Sequence, residues 1–295
     1  MITIDENAGF CFGVVKAIAT AEEELTHSKT LYCLGDIVHN NAEVARLSGK
    51  GLVIIDSEAY EQLRDTKVLI RAHGEPPETY RKAQDQHIEL VDATCPIVLA
   101  LQKKIRQGFE EMRQQSGQVV IFGKQGHAEV IGLNGQTGNS AIIISNPSEI
   151  DAIDFLRPIR LYSQTTKSKS DFEQLVKNIE SQQPVDFVAY NTLCNRVSNR
   201  ATQLEAFAKS VDLVVFVSGS NSSNGRYLYD YCRRVQPNTI FLSSTDELKS
   251  VAIQGLHAEM RIGITGATST PRWLMEEIRD LLMERIQSNN PAATK

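Results

Sequence analysis

The chain of 295 residues contains no CxxC pair. That argues against zinc ribbons and thioredoxin-type redox sites, which depend on this spacing. Its five cysteines, at 11, 33, 95, 194 and 232, are odd in number and widely spaced, so a disulfide framework is not expected. No Lys/Arg block interleaves with aromatics, and the formal net charge is -5, which argues against a nucleic-acid partner. No apolar run approaches membrane-spanning length, and the start MITIDENAGF lacks a basic region followed by an apolar one. Neither a membrane span nor a secretory leader is expected, and the cytoplasm is the expected compartment. No GxxxxGK[ST] occurs, so a Walker-type nucleotide site is not expected.

What is present is a series of short apolar runs separated by helical periodicity. Strands are predicted at 2–5, 30–34, 52–56, 67–72, 88–92, 119–123, 141–145, 159–163, 186–190, 213–217, 239–243 and 261–265. Continuously apolar runs of this length suit parallel strands covered on both faces, and the helices between them imply βαβ units.

These units recur. From Cys11 to Cys95 is 84 residues and from Cys95 to Cys194 is 99. Each unit opens with a strand, a short loop and a cysteine before a helical pattern: ITIDENAGFCFGVVKAI, IELVDATCPIVLALQKKI and DFVAYNTLCNRVSNRATQL. Apolar residues at helical spacing follow each cysteine: Val14, Ile18, Ala21 and Leu25; Ile97, Leu101, Ile105 and Phe109; Val197, Ala201, Leu204 and Ala208. Pro96 suits a first helical turn, where its missing N–H costs nothing. A strand with a first polar loop comes next (TLYCLGDIVHNN, VVIFGKQGHAEV, LVVFVSGSNSSNG). Then comes a strand leading to a capped helix start (VIIDSEAYEQL, IIISNPSEIDAI, IFLSSTDELKSV), then a strand with a second polar loop (LIRAHGEPP, LYSQTTKSKS, IGITGATSTP). The expected fold is α/β: three similar domains with mainly parallel sheets, disposed around a pseudo-threefold axis. The expected boundaries are 12–95, 96–193 and 194–286, with strand 1–11 completing the third repeat and a disordered tail at 287–295.

Ligands of parallel α/β sheets bind beyond the carboxyl ends of the strands. Each repeat puts one cysteine and two polar loops at that edge. Thiols at helix N-termini are favoured as thiolates by the positive helix end. Zinc wants a fourth ligand or a catalytic water. A cubane iron–sulfur cluster on three cysteines leaves one iron without a protein ligand, a Lewis acid for a substrate oxygen. A buried small hydrophobe is the plain alternative for any single cysteine, and it is the expected role of Cys33 and Cys232. His39, His127, Glu129, Ser222, Ser223 and Asn224 lie in the first loops, and His73, Thr165, Thr166 and Ser269 in the second. Ser, Asn and backbone N–H groups at a helix start form an anion cradle or simply a cap. Glu129 in GHAEV is a proton donor if enclosure raises its pKa, and otherwise an acid favouring the helix dipole.

The motifs GFCFGV, VHN, AHG, DATCP, GHAEV, QTT, NTLCNRVSNR, GSNSSN and TGATSTP, in that order over nearly the whole chain, resemble the 4-hydroxy-3-methylbut-2-enyl diphosphate reductase family. The resemblance implies a three-domain trefoil and one [4Fe-4S] cluster per chain on Cys11, Cys95 and Cys194, with an open apical iron. It implies diphosphate-binding roles for His39, His73, His127, Ser222, Ser223, Asn224 and Ser269, proton delivery by Glu129, and an active-site threonine at Thr165 or Thr166. Catalytic roles fall to Glu129, Thr165 and His127, with an external electron donor such as ferredoxin or flavodoxin. Two rival readings remain at this level: a quinolinate-synthase-like cluster enzyme, whose motifs do not match, and a non-catalytic phosphate-binding or redox-sensing protein.

Overall fold

The computed structural model describes residues 1–289 except 221, 252, 254, 255 and 258, and for 197, 198, 223 and 289 the backbone alone. The chain runs β1 (Ile2–Ile4), α1 (Phe12–His27), β2 (Leu31–Leu34), α2 (Asn41–Ser48), β3 (Leu52–Ile55), α3 (Ser57–Gln62), β4 (Lys67–Ile70), α4 (Pro77–Asp85) and β5 (Glu89–Asp92). It continues α5 (Pro96–Gln114), β6 (Gln118–Phe122), α6 (Ala128–Gly135), β7 (Ile142–Ile144), β8 (Ile159–Ser163), α7 (Lys169–Glu180) and β9 (Phe187–Ala189). It ends α8 (Asn195–Ser198), α9 (Arg200–Lys209), β10 (Leu213–Val217), α10 (Ser223–Val235), β11 (Thr239–Leu242), α11 (Thr245–Ser250), β12 (Ile262–Gly266) and α12 (Arg272–Asn289).

Every predicted strand is present, in three four-stranded sheets of one design. The orders are β1-β12-β10-β11, β5-β4-β2-β3 and β9-β8-β6-β7, and each pairing is parallel. In each sheet the strand that precedes a cysteine is an edge strand. Beside it lies the strand that feeds the second polar loop, then the strand that feeds the first.

The alternation of strand side chains fixes what covers each face. Leu213, Val215 and Val217 of β10 pack with Leu274, Met275, Ile278 and Leu282 of α12. Val214 and Phe216 turn the other way, onto Leu204 and Ala208 of α9 and Leu228 of α10. β6 repeats this logic. Val120 and Phe122 meet Phe172, Leu175 and Ile179 of α7, while Val119 and Ile121 meet Leu101, Ile105 and Met112 of α5. With both faces covered, β6, β8, β10 and β12 are buried at every position.

The chain forms two compact units. One holds Met1–Val15, Val38–Gly49 and Asn199–Lys295; the other holds Lys16–Ile37 and Lys50–Ser198. In the first, an ion pair lies at the carboxyl ends of β1 and β12. Arg200 and Asp5 are 1% and 3% exposed and meet at 2.7 Å. Arg200 also donates to Thr265 Oγ1 at 2.6 Å and to the carbonyl of Gly266, and Thr265 Oγ1 donates to Asp5 at 2.8 Å. A buried pair of this kind is costly to break from one side, because the remaining charge is stranded away from water. Arg200→Met is expected to lower stability by about 3–5 kcal/mol, read as a lower urea midpoint at unchanged slope.

Four local expectations are corrected. The buried face of α5 is Val98, Leu101, Ile105 and Met112, and Ile97 is 46% exposed, so the stripe is rotated from the one predicted. No helix follows β7. There Glu149 accepts the N–H groups of Ser145 and Asn146, and the chain continues in turns towards Pro158. The helix after Cys194 is two pieces, α8 and α9, broken at Asn199. Lastly, α12 runs to Asn289, three residues into the expected tail, and 290–295 lie outside the described residues.

Candidate functional site

The three repeat cysteines share one local geometry. The backbone N–H of each donates to a carbonyl at or beside the second polar loop of its own sheet: Cys11 to Thr268 at 3.2 Å, Cys95 to Ala72 at 3.0 Å and Cys194 to Thr165 at 2.8 Å. Cys11 and Cys95 also accept the first intrahelical bonds of α1 and α5, from Val15 and Leu99. Pro96 occupies the first turn of α5, where no N–H is needed. All three cysteines are half-buried.

The other two cysteines differ in kind. Cys33 and Cys232 are wholly buried. Burial pushes the Cys33 thiol up to about 12, and it donates to the carbonyl of Gly35. Burial also raises the Cys232 thiol, which lies beside Thr239. Both remain protonated core thiols and are poor metal ligands. The soft donors at equivalent, half-buried positions are therefore Cys11, Cys95 and Cys194, and thiols are donors that suit iron–sulfur groups.

In the unit containing Lys50–Ser198, His127 caps α6 and its Nδ1 accepts the N–H of Glu129 at 3.2 Å. His127 and His73 meet edge to face, with ring centroids 5.4 Å apart. Gly74, at φ +69°, turns the chain straight after His73, and a Cβ there would lie 2.7 Å from Gln102 Nε2, so this turn requires glycine. Glu129 is only 2% exposed. Its carboxyl accepts the backbone N–H of Thr165 at 2.7 Å and the Thr165 hydroxyl at 2.8 Å. Burial holds it above the usual carboxylate range, and the two Thr165 bonds pull the other way without cancelling the shift. Thr165 is buried, whereas Thr166 is exposed and its hydroxyl accepts from Gln164. Of the two threonines, Thr165 is the one joined to Glu129.

In the unit containing Met1–Val15, Ser222 caps α10 by accepting the N–H of Gly225 at 3.0 Å. Its hydroxyl lies 3.3 Å from that of Ser269. Asn224 Nδ2 donates to Thr268 Oγ1 at 3.3 Å, and the carbonyl of the same Thr268 holds Cys11. Ser223 opens α10, and its side chain is outside the described set. His39 is exposed. A Cβ on Gly219 would come within 2.6 Å of the His39 carbonyl, so glycine lets the SGSNSSN and VHN loops touch. Asn40 caps α2, and the buried Glu43 of α2 accepts the indole N–H of Trp273 at 2.7 Å. That bond ties the helix after His39 to the helix after Ser269.

Each first loop thus ends in a side-chain cap: Asn40, His127 and Ser222. The arrangement supplies helix N-termini with hydroxyl, amide and imidazole groups, the chemistry that receives an anion. It also supplies a protonatable buried acid next to a hydroxyl. Sequence reading missed Asp5, Arg200, Glu43 and Trp273. An Asp at the close of a strand was a visible signal only for Asp5, because the others act through partners far along the chain.

Parallel α/β sheets with thiols at equivalent edges, a buried acid and anion-receiving loops define an α/β redox enzyme. The chain belongs to the LytB protein family, whose model matches residues 2–283. It is 51% identical over 288 residues to the 4-hydroxy-3-methylbut-2-enyl diphosphate reductase of Bacteroides fragilis, covering 97% of this chain and 98% of that one. It is 51% identical over 280 residues to the reductase of the same name from Porphyromonas gingivalis, covering 94% and 96%. Its fold matches a solved (E)-4-hydroxy-3-methyl-but-2-enyl diphosphate reductase, described as the terminal enzyme of the non-mevalonate pathway. That match has a TM-score of 0.74 and 32% identity, and covers 96% of this chain and 99% of the other. The Plasmodium falciparum E-1-hydroxy-2-methyl-but-2-enyl-4-diphosphate reductase matches with a TM-score of 0.79 at 25% identity, covering 95% and 87%.

Proposed function

We propose that this chain reductively dehydroxylates (E)-4-hydroxy-3-methylbut-2-enyl diphosphate to isopentenyl and dimethylallyl diphosphate, the last step of the methylerythritol phosphate route. The activity named for relatives at 51% identity supports this. The observation that carries it is the buried Glu129 carboxyl bonded to the Thr165 hydroxyl, with the Thr165 carbonyl holding Cys194. Thr165 thereby links the buried acid to the backbone of a candidate metal ligand.

In this reading Cys11, Cys95 and Cys194 hold one [4Fe-4S] cluster. When bound, such a cluster supplies single electrons and an iron without a protein ligand that takes a substrate oxygen. The chain's own groups do the rest. His39, His73, His127, Ser222, Ser223, Asn224 and Ser269 receive the diphosphate, by neutral donors and imidazoles whose charge rises on protonation. Burial disfavours the Glu129 carboxylate and so favours its proton-bearing form, which passes the proton through the Thr165 hydroxyl to the leaving oxygen. The allylic C–O bond breaks and the oxygen leaves as water. Two electrons enter one at a time from an external donor of the ferredoxin or flavodoxin kind. A second proton adds at either end of the allyl unit, which accounts for two products. No described helix is long and apolar enough to cross a membrane; the compartment in this reading is the cytoplasm.

Anaerobic purification tests the reading. A brown protein with about four iron per chain, whose visible spectrum changes on adding the allylic diphosphate, is the expected result. A colourless protein after anaerobic reconstitution overturns it.

A further inference from the structure

The cysteine turns share a device that lies outside the thiols. The three edge strands β1, β5 and β9 are each closed by an Asp or Asn: Asp5, Asp92 and Asn191. In each, Oδ1 accepts the backbone N–H two residues on: Asn7 at 2.9 Å, Thr94 at 2.9 Å and Leu193 at 3.2 Å. The cysteine follows three residues after Asp92 and Asn191, and six after Asp5. The side chain thus folds the strand end into a turn, and the cysteine N–H then closes onto the neighbouring loop. Both ends of each short turn are hydrogen-bonded, so the thiol leaves a fixed backbone.

The three turns differ in charge. Asp5 is neutralised by Arg200 at 2.7 Å. Asn191 is neutral. Asp92 accepts from the Thr94 N–H and hydroxyl and, at 2.9 Å, from the Tyr80 hydroxyl, which are all neutral donors. Asp92 therefore brings a net negative charge to the Cys95 turn. Reduction adds an electron to an iron–sulfur group, and a nearby negative charge disfavours that addition.

We propose that Asp5, Asp92 and Asn191 are positioning residues for the three cysteine ligands, and that Asp92 also lowers the reduction potential of the group they hold. This rests on the cluster reading above. The turn and the charge are separable by substitution. Asp92→Ala removes both, Asp92→Asn keeps the turn without the charge, and Asn191→Asp keeps the turn and adds a charge.

The test uses full-length wild type and these three variants, reconstituted anaerobically. It measures iron per chain, the rate of iron loss to a chelator, and the midpoint potential by redox titration. Circular dichroism of the apo chains controls for folding. Asp92→Ala is expected to lose iron on the order of 10-fold faster than wild type, the size of an outer-shell effect on metal affinity. Asp92→Asn is expected to lose iron at the wild-type rate with a more positive potential, and Asn191→Asp with a more negative one. Equal iron loss by Asp92→Ala and wild type overturns the positioning role. Unmoved potentials in the two charge variants overturn the tuning role. Wild type that takes up no iron overturns the cluster reading itself, an outcome distinct from both.

Discussion

Glu129→Gln is expected to reduce turnover by ~10²–10⁴-fold, the range that positioned general acids contribute, while leaving the fold and substrate binding intact. The amide replaces the carboxyl at nearly the same volume. Its oxygen still accepts the Thr165 N–H, and its NH₂ donates to the Thr165 hydroxyl once that hydroxyl rotates. What disappears is the transferable proton. Steady-state kinetics with a chemical reductant, alongside the substrate-induced change in the visible spectrum, make the check. Near-normal turnover removes Glu129 from the proton path. The pH dependence of stability supplies a second signature. Burial raises the Glu129 pKa from an ordinary 4.5, so the native state holds this proton to a higher pH than the unfolded chain does. Its stabilising contribution is complete below the unfolded value and is lost as pH rises through the raised one. Denaturant titrations across that window should show this loss in wild type and a flatter profile in the Gln variant.

Cys95→Ala is expected to abolish stable cluster binding and lower turnover by about 100-fold or more, because loss of a ligand exceeds the 10- to 100-fold cost of outer-shell changes. Cys232→Ala is the matched control. Cys232 is wholly buried in the core beside Leu228 and Phe216, and its thiol is held protonated. Its loss removes packing, about 1 kcal/mol, and no ligand. Iron content and visible absorption after anaerobic reconstitution separate the two variants. Equal iron in both would refute the assignment of Cys95.

The contrast between these cysteines was legible in the sequence. Cys95 stands between a strand and a proline that opens a helix, whereas Cys232 lies inside YLYDYCRRV. Such an address is a local property, set by strand period, turn residues and helix start. The same local rules found all twelve strands. They failed at one helix face and at one helix start. The stripe on α5 was misjudged because Ile97 fits the helical period yet faces water. The helix after β7 was misjudged because Glu149 bonds the two N–H groups before it as a helix-start acid does, yet the chain goes on in turns.

The sequence by itself determined the order of elements, the repeat, and which three cysteines sit at strand ends before helices. Only the tertiary structure decided the chemistry around them. Glu129 and Thr165 are 36 residues apart, and they meet because β6 and β8 are neighbours in one parallel sheet. Arg200 reaches Asp5 across 195 residues because β1 pairs with β12. The raised pKa of Glu129 follows from that assembly. A carboxylate in GHAEV is an ordinary surface acid until the sheet and its loops remove the water around it, and desolvation then raises its pKa.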